Sequence, residues 1–240
     1  MAARTAPRKS DRIRPLDALR AMRGLLANPD DTALVFEIIE ALSGRTRTKV
    51  FDRLARTPSG QRLLAARPNL LARLGDRESL LALPPGTLGR TYGEFMSREQ
   101  ISADGLVEAS EDWLSDDLPA ERRWFADRLR DTHDLWHVVT GYGRDLIGEA
   151  SLLAFSYAQT RNPGIGFIVA VAYLRARGIN APARRLLREG YRRGKRAAWL
   201  PGVEWEELLD QPLAHVREQL RVGQPPVYEP VRSEGAPALA

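Results

Sequence analysis

The 240-residue chain has no cysteine, which removes disulfides, thiolate nucleophiles and cysteine-held zinc or iron–sulfur sites from the chemistry open to it. Histidine is scarce too, with only His133, His137 and His215. A metal would therefore have to be held by these imidazoles and by Asp or Glu carboxylates. Period-two alternation of the kind that marks strands is also rare. Long hydrophobic runs are missing: the longest, Gly164 to Leu174, has 11 residues, whereas about twenty are needed to span the hydrocarbon of a bilayer. The first fourteen residues are basic and polar, without the apolar stretch of a secretory signal. Arg4, Arg8, Lys9, Arg12 and Arg14 form a segment too short and too weakly amphipathic for a transit peptide, and a disordered N-terminus is expected there.

What is present is the composition of a soluble globular protein, 43% hydrophobic and 28% charged. No linker divides the middle of the chain. Apolar residues recur at helical spacing almost throughout. Helices are expected over 15–26, from Asp30 or Asp31 to Leu42, over 46–56 and 58–66, and from Thr87 to Ser97. A single helix should follow from Pro119 to about Thr140, then others at 144–160, 164–177, 181–199 and 212–221. Residues 98–118 read as an acidic loop. The expected architecture is all-α: one irregular multi-helix bundle of roughly eight to ten helices over residues 15–223, with 1–14 and the Pro-rich 224–240 disordered. The 164–174 segment is apolar on every side, which favours a buried core helix. Its small residues would also let it line a lipid-shaped groove.

The net charge is +5 and the isoelectric point near 9.9. The densest basic cluster is Arg184, Arg185, Arg188, Arg192, Arg193, Lys195 and Arg196, on a helix opened by Asn180-Ala181-Pro182. No helix-turn-helix, zinc finger or aromatic RNA-binding signature accompanies it, so nucleic acid is not an expected partner. An anionic lipid surface suits it better, and a merely solvated face is the alternative.

Most of the chemistry on offer is concentrated in His133-Asp134-Leu135-Trp136-His137, with Glu149 twelve residues further on. On a helix, residues i and i+4 share a face about 6 Å apart, so the two imidazoles can reach one cation at about 2.0–2.1 Å each. Asp134 offers a further oxygen ligand or an anchor for an imidazole. Glu149 would lie about 18 Å further along a continuous helix. It returns only if the chain reverses. Gly141-Tyr142-Gly143 permits that, and residue 143 is midway between 137 and 149. The candidate metal site is thus His133, Asp134, His137 and Glu149. The competing reading, two ordinary helical histidines beside a charged surface, requires no ligand.

His133, Asp134, His137 and Glu149, written HDxxH-x11-E, resemble the metal-site signature of the coenzyme Q (ubiquinone) biosynthesis protein 4 family. The stretch Leu83-Pro84-Pro85-Gly86-Thr87-Leu88-Gly89-Arg90-Thr91-Tyr92-Gly93-Glu94-Phe95-Met96 is similar to that family's LPxGTLGxxYxxFM segment. Gly190 to Trp199, Val203-Glu204-Trp205-Glu206 and Leu213-Ala214-His215-Val216-Arg217 resemble its C-terminal region. The similarity covers about residues 15–222.

The resemblance implies a ubiquinone-biosynthesis protein acting on a prenylated aromatic quinone precursor. The implied activity is oxidative decarboxylation at ring carbon 1, exchanging carboxylate for hydroxyl, together with organisation of the other biosynthetic enzymes. It also gives His133, Asp134, His137 and Glu149 a catalytic as well as a metal-holding role. Zinc is the preferred divalent metal. Two His with carboxylates also match a non-haem Fe(II) ligand set able to activate oxygen. The expected location, read from the basic cluster and the lack of a spanning segment, is cytoplasmic, peripheral on the inner face of a bacterial cytoplasmic membrane; a homodimer is left open. Two rival readings stand beside this one. The first is a non-enzymatic prenyl-lipid-binding scaffold with a structural metal. The second is a metal-dependent hydrolase, disfavoured because Asp134 stands where a zincin places its glutamate base.

Overall fold

The computed structural model describes residues 12–101, 118–177 and 181–231. Among them there are helices and 3-10 turns but no strand; one isolated bridge joins Thr87 to Pro212. The expected all-α architecture is the one found. The expected acidic loop lies mostly outside the described residues, as do most of the N-terminal segment, Asn180 and the end of the C-terminal tail.

Helices α1 (Pro15–Ala27) and α2 (Thr32–Ser43) form the first layer, Pro15 filling a first-turn position that has no need of an N–H. Helices α3 (Thr46–Ala55) and α4 (Pro58–Ala66) follow, α4 capped by the Thr57 hydroxyl, which accepts from Gly60 N at 3.0 Å. Two short helices come next, α5 (Leu70–Gly75) and α6 (Arg77–Ala82), which the apolar pattern did not announce. Their signals are the caps: Asn69 accepts from Ala72 N and Asp76 from Ser79 N. Helix α7 (Leu88–Arg98) matches its expected span closely.

The long helix expected from Pro119 to Thr140 is two helices, α8 (Ala120–Asp131) and α9 (His133–Thr140). The break falls at Thr132, whose hydroxyl turns back onto the Leu129 carbonyl at 2.9 Å. Helix α10 (Leu146–Thr160) begins at an Asp145 cap, and α11 (Pro163–Arg175) at an Asn162 cap followed by proline. Helix α12 (Ala181–Arg196), 3-10 turns at Leu200–Gly202 and Trp205–Leu208, and α13 (Leu213–Gln219) complete the order.

The main core gathers residues of α5, α6, α7, α9, α10, α12, both 3-10 turns and α13, with Leu88, Leu135, Val139, Leu152, Phe155, Leu200, Trp205 and Val216 wholly buried. Full burial of an aliphatic or aromatic side chain contributes about 1.5–3 kcal/mol, so α9 sits in the most strongly held part of the molecule. A second, smaller core joins α1, α2 and α11, and a third joins α3, α4 and α8.

Helix α11 departs from the core expectation. Only Gly164 and Ile168 are buried, and Leu174 is 63% exposed. It packs against α2 and α10, and most of its other apolar residues, Ile165, Phe167, Val169, Val171 and Tyr173, are only partly covered. Residues 224–231, read from the sequence as the start of a disordered tail, run back onto the turn between α9 and α10.

Candidate metal centre

Helix α9 carries the two histidines one turn apart on one face, and residues 141–145 turn the chain into α10, whose first turn carries Glu149. Gly141 closes α9 in the left-handed region at φ 75°, where glycine carries no Cβ penalty. Three ligand-type side chains converge. His133 Nε2 lies 3.2 Å from His137 Nε2, Glu149 Oε2 is 3.7 Å from His133 Nε2, and Glu149 Oε1 is 3.4 Å from His137 Nε2. Their candidate ligand atoms all fall within 4.8 Å of one another.

The fourth residue named from the sequence does not join them. Asp134 is buried next to the cluster but stands outside the converging group. Position 134 lies about 60° from 137 and about 100° from 133 around the helix axis, at the edge of their face, where its carboxylate adds negative charge beside His137.

His137 is the fixed member. Its side chain is wholly buried, Phe95 of α7 lies nearly parallel to its ring at 5.8 Å between centroids, and its Nδ1 pairs with the Tyr142 carbonyl at 2.9 Å. A carbonyl only accepts, so Nδ1 carries a hydrogen and Nε2 is the nitrogen that faces the cluster, free to bind a cation once it has lost its proton. His133 and Glu149 are each about a third exposed, so the cluster opens to one side.

Burial by itself presses His137 toward its neutral form. The Glu149 carboxylate, its hydrogen bond, the Asp134 charge and the Tyr142 carbonyl outweigh this and hold the imidazole pKa above its ordinary 6.5. Burial likewise favours a neutral Glu149. The facing His137 charge, hydrogen bonds to both imidazoles and the His133 charge keep it ionised well below the usual carboxylate range.

The donor set fits a divalent cation. Separations of 3.2, 3.4 and 3.7 Å are those of ligands placed about 2.0–2.2 Å from one centre. Two imidazole nitrogens and a carboxylate suit zinc and equally the Fe(II) facial arrangement.

Residues that motif reasoning had not assigned to the site support it. Arg144 places Nε 3.8 Å from Glu149 Oε1 at the open side. Arg217 of α13 donates to the Val138 and Val139 carbonyls, and buried Arg193 of α12 donates to that of Thr140. Two guanidiniums thus satisfy the last carbonyls of α9 and oppose its negative dipole end. Tyr228 of the tail bonds into the turn, its phenol held protonated by burial and by the Asp145 carboxylate. A tyrosine in a Pro-rich tail carries no pattern that would have shown this.

Fold and site together define a class: an all-helical protein with a two-histidine, one-carboxylate cluster at the turn between two helices. The family model for the coenzyme Q (ubiquinone) biosynthesis protein Coq4 matches residues 15–226. The chain belongs to that family, which serves ubiquinone biosynthesis. It is 30% identical over 215 residues to a mitochondrial ubiquinone biosynthesis protein COQ4 of Paracoccidioides lutzii, an alignment covering 87% of this chain and 72% of that protein. The mitochondrial ubiquinone biosynthesis protein coq-4 of Neurospora crassa is 30% identical over 202 residues, covering 82% of this chain and 57% of that longer relative. A Rattus norvegicus COQ4 homologue, also named mitochondrial, is 28% identical, covering 85% and 76%. A Nostoc punctiforme crystal structure, assigned to ubiquinone biosynthesis, superposes with a TM-score of 0.62 at 23% identity, over 88% of this chain and all of that one. This last likeness bears on the fold alone.

The family segments acquire physical roles here. In the 83–96 segment, Leu88 N and Gly89 N donate to Gln211 and Leu209 carbonyls, and Phe95 backs His137. In the Trp205-Glu206 pair, Trp205 is wholly buried and Glu206 takes the buried Arg128 guanidinium bidentately at 2.6 and 2.8 Å.

Proposed function

We propose that this chain acts in ubiquinone biosynthesis on a prenylated aromatic precursor, holding a divalent metal on His133, His137 and Glu149, with replacement of the ring carbon-1 carboxylate by hydroxyl as its reaction. The convergence of these three side chains, one at the wall of the main core and two open to one side, carries the reading. Bound there, the cation supplies Lewis-acid stabilisation of a carboxylate or phenolate oxygen and, if it is iron, a route to oxygen.

The protein's own part is orientation and charge. The Tyr142 carbonyl fixes the His137 tautomer, Phe95 fixes the plane of its ring, and Asp134 adds negative charge that favours a cation nearby. Arg144, beside Glu149 and exposed, is placed to pair with an anionic ring substituent entering from the open side. The overall exchange puts one oxygen atom of dioxygen into the new hydroxyl, reduces the other to water with two electrons and two protons from an external two-electron donor, and releases the ring carboxylate as carbon dioxide. The partly covered apolar residues of α11, with exposed Leu174 at its end, offer surface for a prenyl tail. With the exposed part of basic α12, it also suits peripheral attachment to a membrane bearing other pathway enzymes.

Elemental analysis of protein purified without chelator is the first test, with about one metal per chain expected. Release of labelled carbon dioxide from a carboxylated prenyl-phenol by metal-loaded protein supplied with dioxygen and a two-electron donor is the second, and His137→Ala should abolish it. Metal-loaded protein that retains prenyl lipid but yields no carbon dioxide is the scaffold, a reading the outward apolar surface of α11 favours. Protein that takes up no metal sinks both.

A further inference from the structure

The turn between α9 and α10 carries the geometry of the cluster at both ends. At one end the Tyr142 carbonyl sets the His137 ring. At the other Asp145 caps α10, accepting from Ile147 N at 3.1 Å and Gly148 N at 3.2 Å, while its own carbonyl accepts from Glu149 N at 2.8 Å. One side chain from the far end of the chain bridges these two ends. The Tyr228 hydroxyl accepts from Gly143 N at 2.8 Å and donates to Asp145 Oδ2 at 2.6 Å. Val231 closes the clasp, its N–H donating to Asp145 Oδ1 at 3.1 Å and its carbonyl accepting from Leu146 N at 2.8 Å.

The strap lies close against the glycines of the turn. A Cβ on Gly148 would meet the Gly143 carbonyl at 2.2 Å and the Tyr228 oxygen at 2.5 Å, and one on Gly141, itself at φ 75°, would lie 2.5 Å from Pro225 Cβ. Asp145 is itself almost wholly buried, so its carboxylate, shared among four donors, has little other solvation to draw on.

We infer that residues 224–231 form a strap whose Tyr228 is a positioning residue for the cluster, holding the 141–149 turn so that His137 and Glu149 stay aligned on one ligand. The inference rests on the metal reading above and extends it: the C-terminal segment becomes part of the site although none of its atoms touches the ligand. Tyr228 acts through Gly143 and Asp145, as groups behind metal ligands do when they fix ligand orientation.

Tyr228→Phe keeps the ring and removes only the hydroxyl, leaving the Gly143 N–H and one carboxylate oxygen without their partner. Zinc affinity of the full chain, measured by competition with a chromophoric chelator, should fall about tenfold to a hundredfold. Helical content and the buried tryptophan fluorescence should stay those of the wild type. In metal-free protein, amide exchange should quicken at Gly143 and at Ile147 to Glu149 while the amides of α7 and α13 keep their rates. Removal of residues 224–240 should do the same or more. Wild-type zinc affinity in Tyr228→Phe, or unchanged exchange across 143–149, overturns the strap. Wild-type protein that binds no zinc or iron overturns the metal reading instead, and the exchange rates alone then decide the strap.

Discussion

At the scale of the residue, the cluster is set by which atom of each imidazole is already committed. His137 spends its Nδ1 hydrogen on the Tyr142 carbonyl, so only Nε2 faces Glu149. In the metal-free protein that nitrogen competes for a proton. Its pKa is raised because Glu149 and Asp134 outweigh the effect of burial, so the site stays protonated to a pH above the ordinary imidazole value of 6.5. A cation must displace that proton. Metal affinity should therefore be greatest at alkaline pH and fall as pH drops through the raised His137 value. The fall should be about tenfold per pH unit for each histidine that has taken up a proton. Isothermal titration in buffers of different ionisation enthalpy measures the protons released, and a release of zero near neutral pH contradicts the assignment of His137 as a ligand.

Legibility differed among these residues for a physical reason. The i, i+4 pair of histidines is a local property of one helix, and the glycines at 141 and 143 mark the turn that returns Glu149. Those features can be read from spacing. Asp134, read as a ligand or as an anchor for an imidazole, sits beside the pair at the edge of the helix face, and spacing alone does not separate those two roles. Arg193, Arg217 and Tyr228 reach the site through tertiary packing, and no periodicity in the chain encodes that, whereas Arg144 is a local neighbour in the turn itself.

Elements were legible where an apolar pattern is long enough to register and a cap, a proline or a turn marks its start. Helices α1, α2, α7, α10 and α11 fall within a few residues of their expected limits. Helices α5 and α6 were overlooked because six residues give too short a stripe to register, although Asn69 and Asp76 announce their starts. The break at Thr132 has no glycine or proline to signal it. It matters because α8 ends there with its own tertiary anchor, Arg128, whose guanidinium is nearly fully buried against Glu206 and the Val203 carbonyl. Removing one partner of such a pair strands a charge. Glu206→Ala should destabilise the protein by about 3–5 kcal/mol, while replacing both residues by apolar ones of similar size should recover much of the loss. Urea unfolding of the two variants tests this directly; equal destabilisation by both would show that the bond itself, not the orphaned charge, sets the effect.

Over the whole molecule, the surface combines apolar and basic elements. Among the described residues no helix is long and apolar enough to cross a membrane, yet Leu16 of α1 is 74% exposed and Leu174 of α11 is 63% exposed. Arg184 of α12 lies over the Tyr173 ring at 4.2 Å, which places the start of the basic helix beside Leu174. Not every arginine of that helix belongs to the surface. Arg193 is buried and bonded to the Val222 and Thr140 carbonyls, so the expectation that it faces an anionic partner is corrected, whereas Arg185, Arg188, Arg192 and Arg196 are exposed. Each basic side chain near an anionic bilayer contributes about 1 kcal/mol. Changing these four to Gln should then weaken sedimentation with phosphatidylserine-containing vesicles by on the order of a hundredfold to a thousandfold at low salt. Wild-type binding should itself fade as the screening length shrinks from about 10 Å at 0.1 M salt to about 3 Å at 1 M. Leu16→Asp with Leu174→Asp should weaken it at both salt concentrations, because apolar insertion is not screened. Metal content should be unchanged in every one of these variants, since none of the altered residues contacts the α9–α10 turn. Wild-type protein that stays in the supernatant with anionic vesicles at low salt would leave α12 as a solvated or protein-binding face and remove the membrane from the proposed function.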